Sequence, residues 1–282
     1  MLFINRNKVL FQKNIPRKRG LNKLLWLSNL PLPLIGTIAS LLTGMATGIG
    51  ALPVLISKNI FQRVQDIMLG FGAGVMLAAT SFSLIIPAIE YTGKGITGAF
   101  IISGGIILGG SFLWVVDAYL PHEHFIKGYE GLSSKRLKQI WLFIIAITLH
   151  NFPEGLAVGV GFGGGDIVNG TVLAVGIGLQ NMPEGLVVAL ALLTAKYSSL
   201  KALLIAFLAG LVEPVGGALG VGLVSLVKPF LPWALAFAAG AMLFVVSDEI
   251  IPESHRQGFE KEATFGLITG FIIMMLLDLT FS

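Results

Sequence analysis

The chain has 282 residues, of which 55% are hydrophobic and only 12% charged, with a mean hydropathy of +0.85. A soluble domain carries about 25% charged residues, so there is too little polar surface here for a particle in water, and the chain reads as an integral membrane protein. The net charge of +4 is local: Arg6, Lys8, Lys13, Arg17, Lys18, Arg19 and Lys23 crowd the start, and no acidic residue precedes Asp66. No basic face on a folded domain results, which excludes a nucleic-acid partner. The absence of Cys excludes disulfides, thiolate metal sites and cysteine nucleophiles.

Residues 1–33 form a basic, acid-free tail that is either an overlong start or a targeting segment. Eight apolar segments follow, each long enough at about 20 residues to span a bilayer: 34–56, 67–89, 97–119, 139–161, 170–193, 200–227, 232–250 and 263–281. The runs 101–108 and 187–193 are continuously apolar, whereas a barrel strand would alternate. The predicted fold is therefore all-α, with eight transmembrane helices making one domain at 34–282. The 36 Gly residues let helix backbones approach closely in lipid. Gly104, Gly105, Gly109 and Gly110 make such a face in the third segment.

Self-comparison divides that domain. At an offset of 166, Gly44 meets Gly210 and Gly50 meets Gly216; Phe71, Gly74, Met76, Leu77 and Ser81 meet Phe237, Gly240, Met242, Leu243 and Ser247. Gly104, Ile106 and Ile107 meet Gly270, Ile272 and Ile273. Chance among Gly-rich helices is the competing account, and one gapless register across three helices argues against it. Segments one to three (34–119) are thus expected to repeat as segments six to eight (200–281), around a loop at 120–138 and a central pair, four and five, at 139–193. Five crossings separate the first and sixth segments, so the repeats face opposite ways. Inverted repeats are the mark of alternating-access carriers, with the site at the repeat interface.

The central pair carries the chemistry. His150-Asn151-Phe152-Pro153-Glu154-Gly155-Leu156 recurs 30 residues on as Gln180-Asn181-Met182-Pro183-Glu184-Gly185-Leu186, on a helix that must run antiparallel to the first. His150 and Glu154 are spaced i,i+4 and share one helix face, as do Gln180 and Glu184. Two facing carboxylates within a membrane repel, and one would protonate; a divalent cation between them removes both costs. Pro153 and Pro183 free the carbonyls of Leu149 and Leu179, which suit a cation. Glu213-Pro214 in segment six adds a third acidic centre. The N/O donor set fits Zn(II), Fe(II), Mn(II) or Cd(II) better than Cu(I), Mg(II) or Ca(II). A lone buried His or Glu could be a packing hydrogen bond; a duplicated motif is not readily explained that way.

At these residues the sequence resembles the ZIP (Zrt/Irt-like) family of divalent metal transporters, over about 250 residues. The resemblance is carried by the two motifs, by Gly74-Val75-Met76-Leu77-Ala78-Ala79, by Glu213-Pro214-Val215-Gly216-Gly217 and by Asp248-Glu249-Ile250-Ile251-Pro252-Glu253. Gln180 at the head of the second copy is similar to the bacterial GufA-like branch. The resemblance implies a first metal site at His150, Glu154, Gln180 and Glu184 with Met76 close by. It implies a second at Asn151, Glu154, Asn181, Glu184 and Glu213, with both central Glu residues bridging. Asn181 stands where some relatives carry Asp. The family also implies elevator-like alternating access and a homodimer. Its cytosolic loop often carries metal-binding histidines, so His122 and His124 are either a receiving site or incidental in a solvated loop.

Loops after odd-numbered segments carry ten Lys and Arg, those after even-numbered ones only Lys94 and Lys228. That puts the odd loops in the cytosol and both termini outside. The seven basic residues of the tail point the other way, but the loop bias is spread over several hairpins and decides. The expected function is transport of Zn(II), or else Cd, Fe, Mn or Co, into the cytosol across the cell membrane or an organellar one. No prosthetic group is expected; the metal is cargo, at up to two sites. Asn181 lacks the charge that would hold the second metal, so one tight metal per protomer is expected. The alternatives are an intramembrane metalloenzyme and a metal-selective channel. The enzyme reading lacks H-E-x-x-H and gives the inverted repeat no purpose.

Overall fold

The computed structural model describes residues 30–57, 60–119 and 134–281, without the side chains of 116–119, 134–143, 145, 146 and 228. It consists of helices, with no strand among the described residues. In chain order these are α1 (Leu32–Ala51, continued by the 3-10 turn Leu52–Leu55), α2 (Gln62–Thr92), α3 (Ile96–Tyr119) and α4 (Ser134–Gly163). They are followed by α5 (Ile167–Thr194), α6 (Ser199–Leu226), α7 (Leu231–Ser254) and α8 (Glu260–Phe281). Seven of them are long and apolar enough to cross a bilayer; α4, at 30 residues, is the eighth long helix. Asp166 caps α5 by accepting from the Asn169 N–H at 3.0 Å. Gly165 turns the chain between α4 and α5 at φ 87°, a left-handed conformation that suits glycine.

The outer surface is apolar. Phe100, Ile107, Leu108 and Trp114 of α3 and Phe265, Leu276 and Leu279 of α8 all stand exposed. Such a continuous apolar face is unstable in water and matched to lipid. By contrast α2, α5 and α7 are mostly buried inside the molecule.

The helices pack as two bundles. One comprises α1, α4, α5 and α6; in the other, α2 packs on α8 and α3 on α7. The main contacts between them run from α2 to α5 and from α4 to α7. The main pairings have counterparts under exchange of the repeats: α1 on α5 answers α6 on α4, and α2 on α8 answers α7 on α3. The correspondence extends to single glycines. Gly44 and Gly210 each face the other's carbonyl, Gly50 faces the carbonyl of Met182 and Gly216 that of Phe152. Gly185 faces the Thr47 carbonyl and Gly155 that of Glu213, whose positions differ by the same offset of 166. These are the contacts of an approximate two-fold relation, with α4 and α5 at its centre.

Three segments depart from the continuous helices read in the sequence. α6 breaks at Leu211–Val212, where Pro214 provides no N–H for the Gly210 carbonyl. α2 and α7 each widen into a π segment, at Ala79–Ile85 and Val246–Ile250. Each widening ends two residues before a proline, Pro87 or Pro252, whose ring displaces the carbonyl four residues back. For Pro87 that carbonyl belongs to Ser83, and the Asn169 side-chain amide donates to it from α5 at 3.1 Å.

The close glycine contacts give a stability test. Gly155→Ala and Gly185→Ala each drive a methyl into a backbone carbonyl that cannot retreat, and should lower stability by about 1–3 kcal/mol. Gly222 has open space around its Cα, so Gly222→Ala should be neutral or gain up to about 1 kcal/mol of helix propensity. Thermal unfolding in detergent compares the three; equal melting temperatures would contradict this packing.

Candidate metal centre

The local sequence of α4 and α5 explains why a polar cluster sits at the centre of an apolar bundle. Glycine at the positions after Glu154 and Glu184 brings α6 and α1 to backbone contact, so the adjoining side chains are sealed in. His150, Asn151, Glu154, Gln180, Asn181, Glu184 and Glu213 are all buried, none more than 4% exposed. Pro153 and Pro183 lie inside helices that continue through them. Met76 is fully buried on α2; Gly72, one turn earlier, lies against Gln180. His122 and His124 lie outside the described residues.

The two motif asparagines act first as struts. Asn151 Nδ2 donates to the Ala209 carbonyl at 3.0 Å, and Asn181 Nδ2 to the Thr43 carbonyl at 2.9 Å. Residues 43 and 209 again differ by 166, so these bonds are repeat equivalents. Asn181 Nδ2 also donates to Glu213 Oε1 at 2.6 Å, and Thr43 Oγ1 donates to Glu213 Oε2 at 2.5 Å. Both partners of that nitrogen are acceptors, which fixes the amide orientation. The Asn181 oxygen meanwhile accepts from Gln180 Nε2 at 2.6 Å. The sequence reading gives Asn181 to a metal through its oxygen; here its nitrogen holds Glu213 and its oxygen is engaged by Gln180.

The central carboxylates are different. Both oxygens of Glu154 and Oε1 of Glu184 are buried without a hydrogen bond in good geometry, although the Gln180 amide lies beside Glu154. Glu154, Glu184 and Glu213 lie within electrostatic reach of one another, and Glu249 within reach of Glu184. Buried carboxylate oxygens without donors are costly, and a divalent cation is the partner that satisfies several at once. Among the described residues, no three His, Asp or Glu side chains form a closed cage.

Two contributors escape the sequence reading. Glu249, from the π segment of α7, pairs with His150 Nε2 and so links the two bundles. It stands in the quoted Asp248–Glu253 run at the end of the seventh segment, but the sequence reading gives it no ligand role; the π segment of α7 places it beside His150. Thr43 holds Glu213 from α1, a helix with no acidic residue to draw attention to it. Towards the other end of α4, a cavity of about 310 Å³ opens between the bundles, with Glu90, Asp166 and Asp278 in its wall.

The chain shares extensive sequence with known proteins. The ZIP Zinc transporter family model matches residues 121–278. "Zinc transporter GufA" of Myxococcus xanthus is 50% identical, over 87% of this chain and 98% of its own length. "Zinc transporter ZIPB" of Bordetella bronchiseptica is 46% identical over 83% of this chain and 77% of its own. "Zinc transporter ZIP11" of Homo sapiens is 35% identical over 82% and 93%.

The unpartnered Glu154 makes an energetic prediction. In protein stripped by chelator, Glu154→Gln removes a buried charge and should raise stability by an amount on the order of 1 kcal/mol. Added Zn(II) should then stabilise the unsubstituted protein more than the variant. Melting curves with chelator and with Zn(II) check both; a variant destabilised in chelator that keeps the full metal-induced shift would show that Glu154 serves packing alone.

Proposed function

The chain belongs to the ZIP family of zinc transporters, in its bacterial GufA-like branch, and we propose that it carries Zn(II) and similar divalent cations towards the cytosol by alternating access. One observation carries this reading: two antiparallel copies of one motif, at an approximate two-fold relation, bury the Glu154 and Glu184 carboxylates with oxygens unpartnered. The chain is a multi-pass membrane protein, and a cation shared by a buried carboxylate pair inside one offsets both their repulsion and their desolvation.

In this reading His150, Glu154, Gln180 and Glu184 bind the cargo first, with the Met76 thioether beside them. Asn151, Asn181 and Glu213 join the same two carboxylates at the second position. The imidazole and carboxylates replace the waters the ion sheds, and the surrounding low dielectric strengthens each contact. All of these ligands except Met76 belong to the α1/α4/α5/α6 bundle, which supports its moving as a body against the other, in the manner of an elevator. To bind metal through Nε2, His150 must leave Glu249, so loading weakens a link between the bundles. Eight crossings, both termini outside the cytosol, a cell-membrane location and a homodimer complete the proposal. His122 and His124 would receive the ion on the cytosolic side.

Glu154→Ala and Glu184→Ala should each abolish Zn(II) uptake into proteoliposomes, by more than about tenfold, while the protein still inserts. Normal uptake by a folded Glu184→Ala variant would sink the site. Protons compete for these ligands, so apparent affinity should fall as the pH drops.

The Asn181 strut sets the expected stoichiometry. With Asn at 181, filling both positions would set four positive charges against the three carboxylates Glu154, Glu184 and Glu213, so one tight metal per protomer is expected. Asn181→Asp swaps a donor for a charge facing Glu213; it should raise the second occupancy and slow turnover. Metal analysis after dialysis reads this directly, and two equally tight metals in the unsubstituted protein would refute it.

A further inference from the structure

Beside the His150/Gln180 difference, the two-fold relation is broken at another place that faces the centre. Position 213 of the second repeat corresponds to position 47 of the first, and the pair is Glu and Thr. Their surroundings match: the Thr47 and Glu213 carbonyls abut Gly185 and Gly155, and their side chains lie against Gly210 and Gly44. A Cβ at Gly210 would come within 3.0 Å of Thr47 Oγ1, and one at Gly44 within 3.4 Å of Glu213 Cβ. Thr47 therefore projects where a second Glu213 would.

Its hydroxyl is fully buried and has no hydrogen-bond partner. Among the described helical threonines it shares this only with Thr80, which lies in the π segment of α2 where the winding changes. The hydroxyls of Thr37, Thr148 and Thr171 return to the carbonyl four residues back, at 2.6–2.7 Å. For Thr47 that carbonyl belongs to Thr43, and Asn181 Nδ2 already occupies it. On the same side of the two-fold, Asn151 Oδ1 is likewise buried without a donor, whereas its counterpart Asn181 Oδ1 has one. A hydroxyl and an amide oxygen, both orphaned, thus stand opposite the satisfied Glu213–Asn181 pair.

We propose that Thr47 Oγ1 joins the Asn151 oxygen already assigned to the second position as the first-repeat half of the cation-binding surface, a hydroxyl facing a divalent cation, or a water on it, where the second repeat presents a carboxylate. A neutral hydroxyl binds the ion without adding charge, so the centre holds it while remaining able to let go. This rests on the transport reading, so Glu184→Ala is assayed in parallel: if that variant transports normally the reading fails, whatever Thr47 does.

The test is Zn(II) uptake by reconstituted Thr47→Val and Thr47→Ser, with Glu184→Ala inactive. Val keeps the shape and removes the hydroxyl; Ser keeps the hydroxyl and removes the methyl. Thr47→Val should raise KM roughly three- to tenfold with a smaller change in kcat, and Thr47→Ser should restore KM to within about twofold, as expected for one oxygen contact. Should Val prevent folding, Thr47→Ala against Thr47→Ser asks the same question. A Val variant with unchanged KM, or Ser impaired as much as Val, overturns the proposal, because the methyl and not the hydroxyl would then matter.

Discussion

A charge inside hydrocarbon must be compensated locally, and that constraint organises this molecule. Glu154, Glu184 and Glu213 sit where water does not follow, among helices made mostly of Gly, Ala, Val and Leu. The protein meets the cost in two ways. Glu213 is answered internally, by a threonine hydroxyl and an asparagine amide. Glu154 keeps both oxygens unsatisfied, and its stability depends on what arrives from outside. In the proposed reading structure and cargo recognition are one problem: the residues whose burial costs most are the ones that bind.

Backbone contact makes this possible. At each point where a motif glycine meets a carbonyl of α1 or α6, the helices close to a separation that excludes solvent. A methyl at such a point would push the helices apart and wet the carboxylates, relieving them without a cation. The glycines thus matter for the electrostatics of the centre as much as for its packing.

Much of this was legible in the sequence. The apolar segments, their helical nature, the register of 166 and the duplicated motif all rest on local pattern, and each has a structural counterpart. What the pattern did not show is where a helix changes its winding. Pro87 and Pro252 are visible, but a proline can kink, break or widen a helix, and the choice depends on a neighbour such as Asn169 being there to take the loosened carbonyl. Glu249 was missed for that reason, since the π segment carries it to His150. The orientation of the Asn181 amide, nitrogen towards Glu213 and oxygen towards Gln180, was not legible because residue type alone does not say which end of an amide faces a carboxylate. Thr47 escaped because a buried threonine in a helix is ordinarily satisfied by its own backbone.

The Ser83 carbonyl has a kinetic meaning as well. Pro87 releases it from the helix ladder, and the amide that replaces the ladder bond belongs to α5, in the other bundle. In the alternating-access reading, relative sliding of the bundles would break that bond. For that interval a backbone oxygen at the bundle boundary depends on water. In that reading the motion has a resting notch, whose depth is set by one amide and by how readily water reaches the gap. A leucine at position 169 would flatten the notch, and a shuttle without one would spend more of its time between its end states.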